Sequence, residues 1–163
     1  MNRVKQAIAQ WQREMPDLDL LPMEVVGYMK NTHQLTQERL LTLFKEYDLQ
    51  AGEFDVLATL RRSGPPYRLG PTQLFETLMI SSGGMTSRLD RLEKAGWIAR
   101  SPNPEDRRGT LVSLTDKGIA LMEEMIPRHV ENEARILAAL SREEQQELSR
   151  LLDKLLVGLA RET

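Results

Sequence analysis

Residues 74–114 read LFETLMISSGGMTSRLDRLEKAGWIARSPNPEDRRGTLVSL, and the punctuation of this stretch decides the fold. Leu74 and Leu78 give a short helix an apolar edge, and Ile80-Ser81-Ser82 interrupts it. With Ser81 as N-cap of a second helix, its hydroxyl takes an orphan backbone N–H, and Ile80 and Met85 are spaced to close a hydrophobic staple. Met85, Leu89, Leu92 and Gly96 then recur at helical spacing on one face, and Gly96 is a natural stop. The other face carries Gly84, Ser87, Asp90, Arg91 and Lys94. Two helices crossing through a short turn form a helix-turn-helix, whose second helix can enter the major groove of DNA.

The next residues narrow the reading. Trp97-Ile98-Ala99-Arg100 and Thr110-Leu111-Val112-Ser113-Leu114 are strand-like and flank the charged loop Pro102-Asn103-Pro104-Glu105-Asp106-Arg107-Arg108-Gly109. A hairpin with a charged tip beside a helix-turn-helix is a wing. On SRLDRLEKAGWIAR, the Asp106-x-Arg108 tip and Leu114-Thr115-Asp116-Lys117-Gly118, the chain resembles the MarR family of winged-helix transcription regulators. The resemblance implies a mainly α fold with a small antiparallel β wing, flanked by N- and C-terminal dimerisation helices. It also implies a homodimer on a palindromic operator in double-stranded DNA.

Working outward, Val4, Ala7, Ile8 and Trp11 mark a short amphipathic helix over residues 3–14, capped by Asn2 and ended by Pro16. Pro22 suits the first turn of a longer helix to about Tyr47. A third helix, about Ala51 to Arg62, is apolar around most of its circumference through Phe54, Val56, Leu57, Ala58 and Leu60, and should be central. Gly70-Pro71 opens the helix-turn-helix. After the wing, Thr115 can cap a helix to about Leu140 that Pro127 should bend. Ser141-Arg142-Glu143-Glu144 has the capping-box pattern and starts a last helix carrying Leu148, Leu151, Leu152, Leu155, Leu156 and Leu159. The division expected is 1–48 for the N-terminal helices, 49–114 for the DNA-binding lobe and 115–163 for the C-terminal helices. The terminal helices carry more apolar surface than so small a lobe needs, and the excess reads as a dimer interface.

Composition excludes more than it identifies. The formal charge of -2 gives no bulk attraction to DNA. Between Ser81 and Gly109, however, Arg88, Arg91, Lys94, Arg100, Arg107 and Arg108 outnumber Asp90, Glu93, Glu105 and Asp106. No cysteine is present, which removes disulfides, thiolate metal sites and thiol-based sensing. No apolar run approaches a membrane span and the N-terminus lacks a signal-peptide pattern, so a cytoplasmic protein is expected. No phosphate loop, nucleophile elbow or metal constellation supports an enzyme, and no cofactor is expected. His33 and His129 read as structural. The alternative to a regulator is a winged-helix protein-interaction module without ligand sensing.

For DNA, the candidates are Ser82, Gly84, Thr86, Ser87 and Arg91 at the start of the recognition helix, with Asp106, Arg107 and Arg108 on the wing. Gly83 and Gly84 would let backbone N–H groups approach a phosphate, or are plain helix-start residues. A regulator also needs an input. Arg88 lies three residues after Met85 and four before Leu92, on the inward side of its helix, and Asp55 sits in the helix expected to be central. Buried alone, either charge would be costly. They could pair with one another, or line a polar site for an anionic heteroaromatic ligand, with Trp11 as a ring to stack on it.

Here the resemblance sharpens to the PecS and urate-responsive branch of the MarR family. It rests on Trp11, Pro16-Asp17-Leu18-Asp19, Glu53 through Arg62, and Ser87-Arg88-Leu89-Asp90-Arg91-Leu92. In that branch an added N-terminal helix accompanies a site for urate or a similar purine or phenolic anion. The branch's tryptophan, aspartate and recognition-helix arginine match Trp11, Asp55 and Arg88, and an arginine that helps transmit binding to DNA matches Arg100. The resemblance thus implies a regulator, a repressor by expectation, that ligand releases from DNA.

The wing makes the first test. Arg108→Ala should weaken binding to the cognate site and lower the slope of affinity against salt concentration, because a minor-groove guanidinium releases counterions. Unchanged affinity and slope in a gel-shift series would remove the wing from the account.

Overall fold

Most helix starts are written in local hydrogen bonds. A computed structural model describes residues 2–50, 52–78, 84–104 and 109–161. In it α1 (Arg3–Glu14) opens on Asn2, whose side chain accepts from the Lys5 N–H at 2.9 Å, and stops at Met15 before Pro16. Helix α2 (Leu21–Lys45) carries Pro22 in its first turn, where no backbone donor is lost. Then follow α3 (Glu53–Arg62), the short strand β1 (Arg68–Leu69) and α4 (Pro71–Thr77). The Gln73 side chain turns back to accept the Gly70 N–H at 3.2 Å.

Helix α5 (Met85–Lys94) is followed by β2 (Ile98–Pro102) and β3 (Thr110–Leu114). Thr115 then caps α6 (Asp116–Ile136), its hydroxyl accepting the Gly118 N–H at 3.0 Å, with Pro127 inside the helix. Ser141 caps α7 (Arg142–Ala160) by a full capping box: Glu144 N–H to Ser141 Oγ at 3.2 Å, and Ser141 N–H to Glu144 Oε2 at 2.7 Å.

The chain divides into two compact units, Met1–Thr42 and Leu43–Thr163. In the first, Val4 of α1 is buried and meets α2 at Gly27. The second is built on α3, as its sequence implies. Val56, Leu57 and Leu60 are 0% exposed, and α3 touches α4, α5, α6 and β3. Leu74 of α4, Leu89 and Leu92 of α5, Ile98 and Val112 of the sheet, and Met122 and Met125 of α6 complete the core. The fold is mainly α with a winged helix-turn-helix.

Three details differ from the sequence reading. The sheet has three strands, in the order β1-β3-β2, where two were expected. Arg68 pairs with Ser113 and Leu69 with Val112, so a two-residue segment with no pattern of its own becomes a strand by finding β3. Helix α4 ends at Thr77, and Leu78 is already extended. The recognition helix begins at Met85 with Gly84 as its N-cap, in the left-handed region at φ 76°, without a side-chain cap. Glycine suits that conformation because a Cβ would be strained there. Gly84 is therefore a hinge into the helix and not part of its first turn. Ile80 and Ser81, expected to form the staple and cap, lie outside the described residues.

One close approach holds the wing to α6. A Cβ placed on Gly118 would fall inside the van der Waals envelope of the Trp97 carbonyl oxygen, with the Leu114 Cδ2 3.3 Å away. The obstacle is backbone and cannot swing aside. Gly118→Ala should therefore cost at least about 1–3 kcal/mol of stability, read as a lowered denaturation midpoint in urea. A midpoint equal to that of the wild type would show the contact to be slack.

Candidate nucleic-acid interface and the charged cluster behind it

Helix α5 buries Met85, Leu89 and Leu92 and turns Thr86, Ser87, Asp90 and Lys94 to solvent. Its stop is well made. The Ala95 N–H closes on the Arg91 carbonyl at 2.9 Å, and the Lys117 ammonium donates to the Ala95 carbonyl at 3.0 Å while lying 4.1 Å from the centre of the Trp97 ring. A cation on the last carbonyls of a helix also meets the negative end of its dipole. Of the predicted DNA readers, Thr86 and Ser87 lie exposed on the first turn beside Gly84. Ser82, Asp106, Arg107 and Arg108 lie outside the described residues. The hairpin that leads to the wing tip is in register from Ile98 opposite Leu114 to Pro102 opposite Thr110, and Asn103 N–H to the Gly109 carbonyl, 2.9 Å, extends it.

Two arginines on or beside this helix are tied to carboxylates. Arg91 Nε donates to Glu53 Oε1 at 2.8 Å. Arg100, on β2, donates from Nε to Glu93 Oε2 at 2.8 Å and from Nη2 to Asp90 Oδ1 at 2.7 Å, and its backbone N–H reaches Glu93 Oε1 at 3.0 Å. These bonds hold the Glu93 carboxyl below its ordinary pKa, the Arg100 side chain contributing most. Arg100 thus clamps the base of the wing to the recognition helix.

Of the second group of predicted residues, Asp55 lies on α3 and Arg88 on α5. Asp55 is half-buried on α3, and burial pushes its carboxyl above its ordinary pKa, against the fields of His129, Arg62 and Arg88, in that order, which pull it down. The charge of Arg88 thus acts on Asp55, after those of His129 and Arg62. Trp11 is 43% exposed and belongs to the first unit, whereas Asp55 and Arg88 belong to the second.

Sequence reasoning missed two members of this cluster, Arg62 and His129. Arg62 donates from Nη2 to the carbonyl of Thr77, the last residue of α4, and to Thr59 Oγ1 at 3.2 Å. His129 stacks with Phe44 at 5.6 Å between ring centres and lies tilted by 39° against Phe54 at 4.3 Å. Its Nε2 lies 3.2 Å from Glu133 Oε1, while its buried Nδ1 finds no hydrogen-bond partner among the described residues. A buried ring nitrogen without a partner is uncommon and calls for a reason. Spacing on α3 could have flagged Arg62, two turns after Asp55; nothing local could have flagged His129.

The fold, the wing and the solvent-facing helix all point one way, and comparison with known proteins decides it. A family model described as the MarR family matches residues 49–110. The chain is 46% identical over 151 residues, 93% of its own length and 91% of the relative's, to the HTH-type transcriptional regulator PecS of Dickeya dadantii. The chain belongs to the MarR family. Among solved structures, this MarR-family chain is similar to a mutant of Escherichia coli MarR complexed with operator DNA. That likeness has a TM-score of 0.72 and 28% identity, and covers 90% of the chain and 97% of the other. It is also similar to Bordetella bronchiseptica BpsR, described for regulation of its DNA binding by 6-hydroxynicotinic acid, with a TM-score of 0.72 and 27% identity over 80% and 91% of the two chains.

It is thus a DNA-binding transcription regulator of PecS type, and its named relatives are regulators and not enzymes. Among the described residues no group of three His, Asp or Glu could hold a metal ion, and no helix is long and apolar enough to cross a membrane.

The raised pKa of Asp55 has a direct consequence. The folded regulator holds this proton more tightly than the unfolded chain, so ionisation costs stability as pH rises through the carboxylate range. Asp55→Asn, which cannot ionise, should raise the melting temperature at pH 7, an advantage that shrinks toward zero below about pH 3. A melting temperature lowered at pH 7 and unchanged below about pH 3 would mean that the ionised carboxylate is held favourably by its neighbours.

Proposed function

We propose that the chain is a dimeric, cytoplasmic repressor that leaves its operator when a small anionic aromatic molecule, urate or a related purine or phenolic, occupies the cluster behind the recognition helix. The observation that carries the reading is the company Asp55 keeps. A half-buried carboxyl, two guanidinium groups and an imidazole with an unpartnered buried nitrogen converge beside the Phe44–Phe54 stack, whose ring centres are 4.8 Å apart. An anionic ring with its own donors and acceptors suits such a set: charge to Arg88 and Arg62, a hydrogen bond with Asp55, a partner for His129. The resemblance to PecS brings Trp11 into the same reading as a stacking surface. The regulation of BpsR by 6-hydroxynicotinic acid supports the ligand class.

Release then follows from geometry. Arg88 rides on the recognition helix, Asp55 on α3, and Arg62 on the carbonyl that ends α4. Ligand contacts to these groups bias the position of α5 relative to α3, and by linkage ligand and DNA oppose one another. A coupling of about 1–3 kcal/mol suffices for a 5- to 150-fold loss of affinity. Arg100, joining the wing to α5, carries the same displacement into the hairpin.

The reading of DNA falls to Ser82, Thr86 and Ser87 around the Gly84 hinge and to Asp106, Arg107 and Arg108 on the wing. Dimerisation is supported by the outer helices. Helix α7 buries none of its residues and exposes Leu151, Leu152, Leu155, Leu156, Val157 and Leu159, while α2 exposes Val25, Val26 and Met29. Apolar surface on that scale marks an interaction site, and a twofold mate presents the same surface in return.

Titrating urate into the wild-type chain should quench tryptophan fluorescence and dissociate operator DNA over one concentration range. Trp11→Phe should lose most of the quench, leaving only the signal of Trp97. If neither fluorescence nor DNA responds at millimolar urate while 6-hydroxynicotinate acts, the class stands and the named effector changes; silence with both removes the sensing mechanism.

A further inference from the structure

The glutamate that opens α3 is out of place by any rule of composition. Glu53 is 1% exposed, yet it lies in the first turn of the helix that forms the centre of the second unit. Its two oxygens are divided between two elements. Oε2 accepts the Gln50 N–H at 2.6 Å, which fixes the carboxylate to the turn before α3. Oε1 accepts from Arg91 Nε at 2.8 Å, thirty-eight positions along, on the recognition helix. A buried carboxylate needs such a partner, since removing one member of a buried pair leaves an uncompensated charge. The same bond sets the position of the arginine, whose side chain remains 45% exposed.

The direction of this tether on α5 matters. At about 100° per residue, Arg91 projects to one flank of the buried Met85–Leu89–Leu92 stripe, and Asp90 and Glu93 to the other. Arg100 holds Asp90 and Glu93; Glu53 holds Arg91. A helix gripped on both flanks by charged hydrogen bonds cannot roll about its own axis without breaking one of them. Roll is the motion that decides which side chains of the first turn face a groove. On Arg91's side the helix borders a cleft of about 370 Å³, lined in part by Asp48, Lys94 and Trp97, so apolar packing alone does not oppose the motion there.

The structure assigns Arg91 to positioning and not to reading DNA: we infer that the Glu53–Arg91 pair sets the roll of the recognition helix, and that Arg91 neither meets a base nor neutralises a phosphate. To reach DNA the guanidinium would have to leave a carboxylate that is 1% exposed. The inference rests on the DNA-binding reading and is independent of any ligand.

The test uses the full chain and a duplex selected by the wild type from a random pool, with affinity measured by fluorescence anisotropy across a series of potassium chloride concentrations. Arg91→Gln and Glu53→Gln should each weaken binding about tenfold. Their salt slopes should stay within about half a unit of the wild type, where loss of a phosphate contact lowers the slope by about one. The double variant should bind no worse than the weaker single one. The base preferences of the selected site should flatten over all the pairs the helix meets, well below the melting temperature, which loss of stability alone would not produce. A slope reduced by about one in Arg91→Gln, with Glu53→Gln binding like the wild type, would overturn the assignment and return Arg91 to the phosphate. If Glu53→Gln fails to fold, the slope and base profile of Arg91→Gln decide by themselves. A wild-type chain that selects no duplex would remove the DNA-binding reading, and this assignment with it.

Discussion

The second unit depends on one constraint: α3 must be buried on almost every side and still carry charge. Val56, Leu57 and Leu60 have no exposure, and four other elements lean on the ten residues of this helix. Its carboxylates therefore cannot be left to solvent. Glu53 is answered by Arg91 and a backbone amide, while at Asp55 burial outweighs the fields of His129, Arg62 and Arg88. Buried charges of this kind add little net stability compared with apolar residues of the same shape. What they add is register, because the Glu53 carboxylate accepts only the arrangement that supplies its partners.

That register passes from the core to the recognition helix. The recognition helix touches α3 and buries Leu89 and Leu92, and apolar contacts tolerate sliding and rolling, since dispersion forces have little directional preference. Direction enters through the arginines. Arg91 fixes one flank of α5, Arg100 fixes the other and carries the wing with it, and Arg62 holds the end of α4. Under the proposed function, a ligand among Asp55, Arg62 and Arg88 acts on these directional bonds and leaves the apolar contacts to follow. A few hydrogen bonds can then shift an equilibrium that no change in buried area would move.

What was legible in the sequence was what lies within four residues of itself. Asn2, Thr115 and Ser141 cap the helices they were expected to cap, because a cap is a bond to a residue three places on. The Gly96 stop is local in the same sense, and the apolar girth of α3 announced its central place. Strand β1 was not legible, since two residues have no period and Arg68–Leu69 is a strand only by virtue of Val112 and Ser113. Gly84 was read as part of a helical turn because glycine permits both conformations and the backbone beyond it makes the choice. In the candidate site, Asp55 and Arg88 stood out as charges in apolar company. His129 did not, for its meaning comes from Phe44, Phe54 and Asp55, all more than seventy positions away.

The same distinction explains how a chain with a net charge of -2 belongs to a family that binds DNA. Counting the basic residues between Ser81 and Gly109 overstates the charge on offer, because Arg91 and Arg100 already have carboxylates within hydrogen-bonding distance. Their work is mechanical. Farther from α5, Arg128 is held by Glu46 and Tyr47, and Arg61 lies 3.7 Å from Glu123. With a net charge of -2 and these guanidinium groups already paired with carboxylates, the molecule offers little bulk positive charge to a phosphate backbone. Selectivity must then come from where the helix and wing are aimed. A regulator built this way is sensitive to small displacements of α5, since it has little bulk charge with which to hold the duplex once the aim is lost.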